Sequence, residues 1–272
     1  MKILSLGWGV QSFTIAAMVA LGELEPIDAA IHADTTHESK LTYEFAARWT
    51  GWLEEHGINV IKVRDKNLQI NTDKKGVIFI PSYTACLYHP KIAIYDDDEV
   101  IGYIEGKLTE SHGQLRRQCT NRWKIAPMRR WIQANRNGDP VEQWIGISLD
   151  EAERMRSSDV KYITNRWPLI EKRMTRNDCK NWLEKHGIEV PPRSACTFCP
   201  YHSMVEWRRI KDTPEDWQEA VSVDQAIRKA RPPYDLFVHS QRIPLEEVDL
   251  RTPQEKGQMD LWQDECSGIC GV

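Results

Sequence analysis

The first part of the chain alternates between strand-like and helix-like patterns, and this alternation restricts the fold more than any other feature. Three apolar segments have the composition of buried strands: residues 2–6, 27–34 and 58–63. The two segments between them have helical character and end near Gly22 and Gly57. A β-α-β-α-β succession joins parallel strands through right-handed crossovers. The sequence therefore predicts an α/β fold, a parallel sheet with helices on both faces.

The rest of the chain is less regular. Residues 67–115 are expected to form loops and short elements, whereas residues 120–135 are partly helical, with Pro127 near a helix end or at a kink. Residues 142–148 predict another buried strand, and a helix is expected to begin at Leu149. Beyond Trp167 the chain carries prolines and cysteines and is then helical from residue 203 to 230. We expect two domains, residues 1–166 and a smaller, helical, Cys-bearing region at 167–272.

Composition excludes several classes of protein. The formal net charge of −4 and a pI near 6.1 argue against a wholly cationic, non-specific nucleic-acid binder. No run approaches the ~18 apolar residues of a membrane span. The seven cysteines include two closely spaced pairs, a usage that favours metal or redox chemistry in a reducing compartment. A cytoplasmic protein with no membrane partner is therefore expected.

Two segments of the chain are nearly identical. Residues 52–60 read WLEEHGINV, and residues 182–190 read WLEKHGIEV. The pair could record a duplication, but a helix that ends in glycine before an extended segment recurs in α/β proteins. We favour the second interpretation, in which the same local structure is used twice.

A glycine-bearing loop, GWGVQS at residues 7–12, lies between the first strand and the first helix. Backbone N–H groups at such a turn, together with the helix dipole, form an anion site. A Walker A loop is excluded because Val10 and Gln11 follow Gly9 where a Lys and a Ser or Thr are required. A dinucleotide fingerprint stays open as an alternative, although Ser12 occupies the place of its third glycine. In that alternative, Asp34 would bind a ribose.

The loop and three later segments resemble one superfamily. Residues 5–12 resemble the pyrophosphate loop of the PP-loop ATP pyrophosphatases, SGGxDS, although Trp8 replaces a small residue and Gln11 replaces the acid. Residues 31–39 (IHADTTHES) and 145–156 (IGISLDEAERMR) resemble segments of the phosphoadenosine-phosphosulfate reductase branch. Residues 194–203 (SACTFCPYHS) resemble a cysteine motif of phage and bacterial DNA-modification relatives.

This resemblance implies an adenine nucleotide alpha hydrolase-like fold that binds ATP with Mg²⁺. It implies phosphate binding near the glycine loop and a neighbouring adenosine, which assigns cofactor binding to Ser5, Gly7, Gly9, Val10, Gln11, Ser12, Asp34 and Arg154. Catalytic roles are expected for Ser12, Arg117 and Lys124. Arg156 is a further candidate for phosphate binding.

The implied reaction is adenylylation of an acceptor with loss of pyrophosphate, followed by sulfur transfer. The acceptor would be nucleic acid, as in DNA phosphorothioation or RNA thiolation, and a cysteine desulfurase could donate the sulfur. One alternative keeps the fold but reduces an adenylylated sulfate with a thiol. The other is a non-catalytic, metal-stabilised subunit that binds nucleotide.

The cysteines suggest a metal centre. Cys196 and Cys199 form a CxxC pair, whose two thiolates can chelate one metal. Cys119 and Cys179 could complete the four-thiolate ligation of an iron–sulfur cluster, which sulfur-transferring relatives often carry, or His202 could complete a zinc site. The alternative is that Cys119 and Cys179 are small buried hydrophobic residues.

A basic cluster surrounds Cys119. It contains no acid and comprises Arg116, Arg117, Arg122, Lys124, Arg129 and Arg130. Such a cluster can bind a triphosphate or a nucleic-acid backbone, and Trp123 and Trp131 could stack on bases. The alternative is an ordinary solvated helix face.

Overall fold

The structure is a computed structural model, which describes residues 1–65, 79–96, 99–252 and 255–256. Its strands in these ranges are β1 (Lys2–Ser5), β2 (Ala29–Ala33), β3 (Val60–Val63), β4 (Tyr83–Tyr88), β5 (Lys91–Asp96), β6 (Glu99–Glu105), β7 (Thr109–Gln114), β8 (Val141–Trp144), β9 (Ile163–Arg166) and β10 (Asp235–Phe237). The α-helices are α1 (Val10–Ala20), α2 (Lys40–Glu55), α3 (Ala126–Asn135), α4 (Pro168–Glu171), α5 (Arg176–Lys185), α6 (Met204–Lys211) and α7 (Pro214–Ile227). A π-helical segment spans Thr120–Ile125, and 3₁₀ turns span Leu149–Arg154 and Leu245–Glu247.

The described residues divide into two compact units. The first unit contains residues 1–65 and 120–197, and the second contains residues 79–96, 99–119, 198–252 and 255–256. The sequence predicts a division at Trp167 instead. Helices α4 and α5, which follow Trp167, belong to the first unit, and Leu169 and Leu183 on these helices join its buried core.

The first unit is built on a five-stranded sheet in the order β3-β2-β1-β8-β9. All four strand pairs are parallel, so the predicted parallel α/β sheet is confirmed. Strand β9 was not predicted from the sequence because it is short and only one of its residues, Ile163, is buried. The chain proceeds outward from β1 through β2 to β3 and later returns to the other side of β1 with β8. The strand order therefore reverses between β1 and β8.

Helices cover both faces of this sheet, as predicted. On one face, Leu4, Ala30 and Trp144 of the strands pack with residues of α1, α2 and α5. On the other face, Ile3, Ala29 and Ile31 pack with Met128 and Ile132 of α3. Ile3 and Leu4 are adjacent in β1 and serve opposite cores, because successive side chains of a strand point to opposite faces.

The two similar segments of the sequence form the same helix ending. Gly57 after α2 and Gly187 after α5 adopt positive φ angles of 80° and 68°, which a residue without a Cβ adopts most easily. The histidine before each glycine packs on the ring of the tryptophan one turn earlier. Its Nδ1 lies 2.8 Å (His56) or 2.7 Å (His186) from that tryptophan's carbonyl oxygen. The repeat is thus accounted for by local structure used twice in one core.

The second unit is mostly antiparallel sheet and helix. Strands β10, β4 and β7 form a three-stranded sheet, and β5 pairs with β6 in a separate two-stranded sheet. The region expected to contain loops and short elements thus holds four strands, β4 to β7, although residues 66–78 lie outside the described residues. The helix expected at 203–230 is two helices, because Pro214 begins α7 after a break at Thr213. No helix in the described part of the chain is both long and apolar enough to cross a membrane.

One close approach fixes the loop after β8 against the start of α1. A Cβ on Gly146 would lie 2.7 Å from the backbone nitrogen of Ser12 and 3.1 Å from the carbonyl carbon of Gln11. No side chain fits at this position without displacement of the helix backbone. Gly146 therefore allows the segment after β8 to pass directly beside the first turn of α1.

We predict that Gly146→Ala lowers the free energy of unfolding by about 1–3 kcal/mol, the usual cost of overpacking. Gly51→Ala is the matched control, because a Cβ at this position in α2 meets no atom within 4 Å. That control should be stabilising by about 0.5–1 kcal/mol, since alanine favours a helix over glycine. Urea unfolding monitored by circular dichroism measures both changes, and equal effects of the two substitutions would contradict the proposed close packing.

Candidate functional site

A cavity of about 580 Å³ opens in the first unit at the carboxyl ends of β1, β2 and β8. This is where the strand order reverses, the usual place for a ligand in an open parallel sheet. Its volume is within the range of small-molecule and cofactor sites. Four cationic side chains line it, together with the start of the glycine loop and an apolar wall: Lys124, Arg129, Arg154, Arg156, Ser5, Gly7, Ile125, Met128, Ile145 and Ile147.

The glycine loop is held closed by its own hydrogen bonds. The N–H of Gly7 donates to Ser12 Oγ at 3.1 Å, and Ser12 Oγ donates to the carbonyl of Gly9 at 3.3 Å. Gly9 is the N-cap of α1, no side chain caps this end, and no acidic residue lies in the first turn. The first N–H groups of a helix lack intrahelical acceptors. The first turn of α1 thus contributes no negative charge of its own. Of the glycine loop, Gly7 lines the cavity, next to Ser5 at the end of β1, whereas Gly9 to Ser12 do not.

Trp8 departs from the small residue of the superfamily loop, and the structure explains how the loop accommodates it. Its backbone has φ of 57°, an unusual conformation for a bulky residue. Its side chain is 2% exposed and packs edge-on against Phe45 and beside Phe13. The indole therefore belongs to the hydrophobic core of the first unit.

Gln11 connects the glycine loop to the 3₁₀ turn after β8. Its Nε2 lies 3.4 Å from Ser148 Oγ and 3.2 Å from Glu151 Oε2. Glu151 in turn pairs with Arg154 at 2.8 Å. The amide thus fixes the turn that carries Arg154, the predicted phosphate-binding residue, to the wall of the cavity. The helix expected from Leu149 is only this 3₁₀ turn.

Two polar residues of the cavity were not identified from the sequence. His32 lies in β2 with Nδ1 3.1 Å from the carbonyl oxygen of Leu6, so Nδ1 donates and Nε2 of the neutral ring is an acceptor. Burial lowers the pKa of His32, against the attraction of Glu38. Gln143 in β8 donates from Nε2 to Ser5 Oγ at 2.7 Å. His32 stands two residues before Asp34 at the end of a predicted strand, which was the signal available in the sequence.

Asp34 is held by a network of donors. Its side chain is 1% exposed; Oδ2 lies 2.6 Å from Arg64 Nη2 and 3.0 Å from Lys62 Nζ, and Oδ1 accepts from Tyr43 OH and the Thr36 N–H, both at 2.8 Å. Burial alone would raise the pKa of Asp34, but these hydrogen bonds outweigh it and hold the pKa well below its usual value. Both carboxylate oxygens are occupied, so Asp34 organises the loop after β2.

Lys124, a predicted catalytic residue, lines the cavity from the π-helical segment. Its Nζ lies 2.9 Å from Oε1 of Glu38, whose side chain is 1% exposed. The other carboxylate oxygen of Glu38 accepts from Ser194 Oγ at 2.9 Å. Glu38 was not identified from the sequence as a functional residue.

Of the basic cluster, Lys124 and Arg129 line the cavity, whereas Arg117 and Arg130 do not. Arg117, predicted to be catalytic, belongs to the second unit, where its guanidinium lies 5.6 Å from the ring centroid of Tyr201. Arg129 pairs with Asp159, and Arg130 lies 3.5 Å from Asp65. The predicted stacking role of Trp123 is wrong for this structure, because the residue is 1% exposed. Trp131 is half-buried against the core beneath α3.

The predicted four-cysteine metal site is not formed. No three His, Cys, Asp or Glu side chains within the described ranges are grouped so that they could hold a metal ion. Cys179 is 0% exposed in the core of the first unit, and burial raises the pKa of its thiol to about 12. Cys196 lies in the same unit with Sγ 3.4 Å from Thr35 Oγ1, whereas Cys119 and Cys199 belong to the second unit. Cys179 fits the alternative interpretation, a small buried hydrophobic residue.

We predict that Cys179 resists alkylation by iodoacetamide in the native protein at about pH 8, because the thiolate is the reacting species. Half-buried Cys86 should react faster and serves as the internal comparison. In urea both cysteines should react at similar rates. Mass spectrometry of the two peptides measures this, and equal native rates would contradict the buried position of Cys179.

We also predict a pH-dependent effect of Asp34→Asn. Because the folded-state pKa is lowered, the carboxylate contributes stability fully above the unfolded value of about 3.9, and this contribution is lost as the pH falls toward the folded value. The substitution should therefore destabilise the protein at neutral pH, and the difference from wild type should narrow below about pH 4. Urea unfolding across pH tests this, with exposed Asp139→Asn as control. If the difference in stability between wild type and Asp34→Asn does not change with pH, the hydrogen-bond network does not lower the pKa of Asp34 as described.

Comparisons with known proteins found a likeness to solved structures. No protein-family model and no curated protein matches the chain. The fold is similar to the crystal structure of phosphoadenylyl-sulfate (PAPS) reductase from Candida auris in a phosphate complex, with a TM-score of 0.42 and 10% sequence identity. The match covers 70% of this chain and 74% of that chain. The α/β assignment rests on the described sheet itself.

Proposed function

We propose that the protein is an enzyme of the PP-loop type that binds ATP in the cavity of the first unit and transfers the adenylyl group to an acceptor. The observation that carries this proposal is the coincidence of three features at one cavity. These are the start of the glycine loop, the reversal of strand order, and the cationic side chains of Lys124, Arg154 and Arg156. The motif resemblance of residues 5–12, 31–39 and 145–156 supports the same assignment.

The cavity offers different surroundings to the two halves of a nucleotide. Ile125, Met128, Ile145 and Ile147 provide an apolar wall suited to a base, and Lys124 and Arg154 provide positive charge suited to phosphates. His32 Nε2 adds an acceptor for an amino or hydroxyl group of the ligand. We infer that Ser5 and Gly7 contact the ligand and that Ser12 acts by holding the loop closed.

In the proposed reaction, an acceptor oxygen attacks the α-phosphorus of ATP, the bond to the β-phosphate oxygen breaks, and pyrophosphate leaves. The acceptor proton is released if the acceptor is a hydroxyl group. Lys124 and Arg154 would stabilise the charge that develops on the phosphates, since cations held in place before the reaction stabilise charge in the transition state. Adenylylation is chemically required because oxide is a poor leaving group, whereas AMP is a good one.

The described residues fit Mg²⁺ better than they fit an iron–sulfur or zinc centre. Mg²⁺ binds mainly through substrate phosphates and one or two carboxylates. It would neutralise charge on the triphosphate, and this requires no cage of protein ligands. Gln11 supplies no charge there, and neighbouring Glu151 already pairs with Arg154. An iron–sulfur or zinc centre through Cys179 does not fit, because that thiol is in the hydrophobic core. No step of the proposal uses such a centre.

We further propose sulfur transfer to a nucleic-acid acceptor as the second half of the reaction. A sulfur nucleophile from a partner such as a cysteine desulfurase would displace AMP from the activated acceptor. The support is the resemblance of residues 194–203 to the cysteine motif of DNA-modification relatives. A catalytic role for Arg117 in the second unit stays a prediction of the same kind.

One observation favours a second candidate, thiol-dependent reduction of an adenylylated sulfate. The superfamily loop carries an acid where this chain has Gln11, and the amide is engaged by Ser148 and Glu151. A reductase binds its nucleotide without splitting ATP and therefore has no need of that acid. Release of pyrophosphate separates the two candidates, and ATP binding without turnover would favour a non-catalytic nucleotide-binding subunit.

We predict that ATP binds the purified protein and that Lys124→Met and Arg154→Gln each weaken binding by about tenfold or more, since a charged hydrogen bond contributes about 1.5–3 kcal/mol. Exposed Lys161→Met is the matched control and should bind like wild type. Equilibrium dialysis measures affinity, and a coupled assay measures pyrophosphate in the presence of Mg²⁺ and candidate oligonucleotides. If ATP does not bind, or if all three variants bind equally, the proposed site is wrong.

A further inference from the structure

Glu38 is a buried carboxylate whose two oxygens serve different parts of the first unit. Its side chain is 1% exposed, and the residue lies in the loop between β2 and α2. Oε1 pairs with Lys124, which lines the cavity, and Oε2 accepts from Ser194. One carboxylate thus joins the wall of the proposed ATP site to the segment that precedes the CxxC pair.

That segment is attached to the loop after β2 by two further contacts, a backbone bridge and a side-chain contact. Cys196 forms an isolated antiparallel bridge with Glu38, which includes the hydrogen bond from the N–H of Thr197 to the carbonyl of His37 at 2.8 Å. The Sγ of Cys196 lies 3.4 Å from Thr35 Oγ1. A displacement of the loop would therefore change the contacts of Cys196 with Glu38 and Thr35 directly.

The loop itself is under conformational strain. Thr36 has φ of 61°, and a β-branched residue in this region is a genuine outlier. Such a conformation costs about 1–3 kcal/mol and persists only where neighbouring contacts enforce it. The Thr36 N–H donates to Asp34 Oδ1 at 2.8 Å, and the Lys124–Glu38 pair holds the other end of the loop. Loss of one enforcing contact would favour relaxation.

We propose that Glu38 is a positioning residue that shares Lys124 with the anion in the cavity, and that it thereby couples occupancy of the cavity to the reactivity of the Cys196 thiol. The inference rests on the proposed function, because the anion is the phosphate chain of ATP. A bound phosphate competes with Glu38 for the Lys124 ammonium. Glu38 then loses part of its charge compensation in a buried environment, which is costly.

The direction of the effect follows from these contacts. When the anion draws Lys124 toward the cavity, the strained loop relaxes and the contact between Thr35 and Cys196 loosens. The thiol, which is half-buried in the structure, becomes more accessible. ATP binding would thus present Cys196 at the stage of the cycle when the acceptor is being activated.

The test measures alkylation of the full-length protein by iodoacetamide with and without saturating ATP, and separately with inorganic pyrophosphate. Trypsin is expected to release residues 194–208 as one peptide, in which fragment ions distinguish Cys196 from Cys199. We expect ATP to accelerate alkylation of Cys196 by about fivefold or more, the lower end of typical coupling between two sites. Alkylation of Cys86 provides the internal reference and should not change.

Glu38→Gln tests whether the charge of Glu38 controls the reactivity of Cys196, because a merely structural role would not remove the response to ATP. A neutral amide forms no ion pair with Lys124, so Cys196 should already react quickly without ligand and should not respond further to ATP. Equilibrium dialysis of ATP, run in parallel, separates a failure of the coupling between the cavity and Cys196 from a failure of the proposed function. ATP binding with an unchanged or slower Cys196 reaction in wild type would overturn this inference alone, whereas absence of ATP binding would overturn the proposed function and this inference together.

Discussion

The central position of β1 is the constraint on which the first unit depends. Strands β2 and β8 pair with β1 on opposite sides, and the segments that follow the three strands must leave the same edge of the sheet. The segments after β1 and β2 diverge from the one after β8, so a space remains between them. Gly146 then brings the segment after β8 back against the start of α1, which closes one side of that space. The cavity therefore follows from the order of the strands and does not depend on the functional side chains that line it.

Two buried acids fix cationic side chains of the first unit, and one of these cations, Lys124, lines the cavity. Asp34 orders the ends of β2 and β3 through Arg64 and Lys62, and Glu38 sets Lys124 at the cavity wall. Each acid is almost completely shielded from solvent, so removal of a partner would leave a charge that water cannot compensate. Cations held in this way keep a defined position without a ligand, which reduces the entropy lost when an anion binds.

Elements that follow from local patterns could be predicted from the sequence, whereas features that depend on contacts between distant residues could not. Alternation of strands and helices predicted the parallel sheet, and the position of Gly7 and Gly9 predicted the loop before α1. Gln143 and Gly146 gave no comparable signal, and His32 gave only its position near the end of a predicted strand, because their roles arise only when β2, β8 and α1 come together. Cys179 was misassigned for the same reason. The spacing of cysteines suggests metal ligation but does not show whether a thiol is buried. The hydrophobic core around Cys179 determines the chemistry of that thiol.

Neither compact unit is continuous in the chain, and this interleaving affects the order in which the protein can fold during synthesis. The sheet of the first unit lacks β8 and β9 until residue 166 has been made, and by then strands β4 to β7 of the second unit have already emerged. One edge of strand β4 pairs with β7, but its other edge stays unpaired until β10, whose residues follow position 234, has been made. Pairings between segments so far apart form slowly and expose unpaired strand edges meanwhile. A nascent chain with this order of elements would depend on chaperones more than a protein whose domains are completed one after the other.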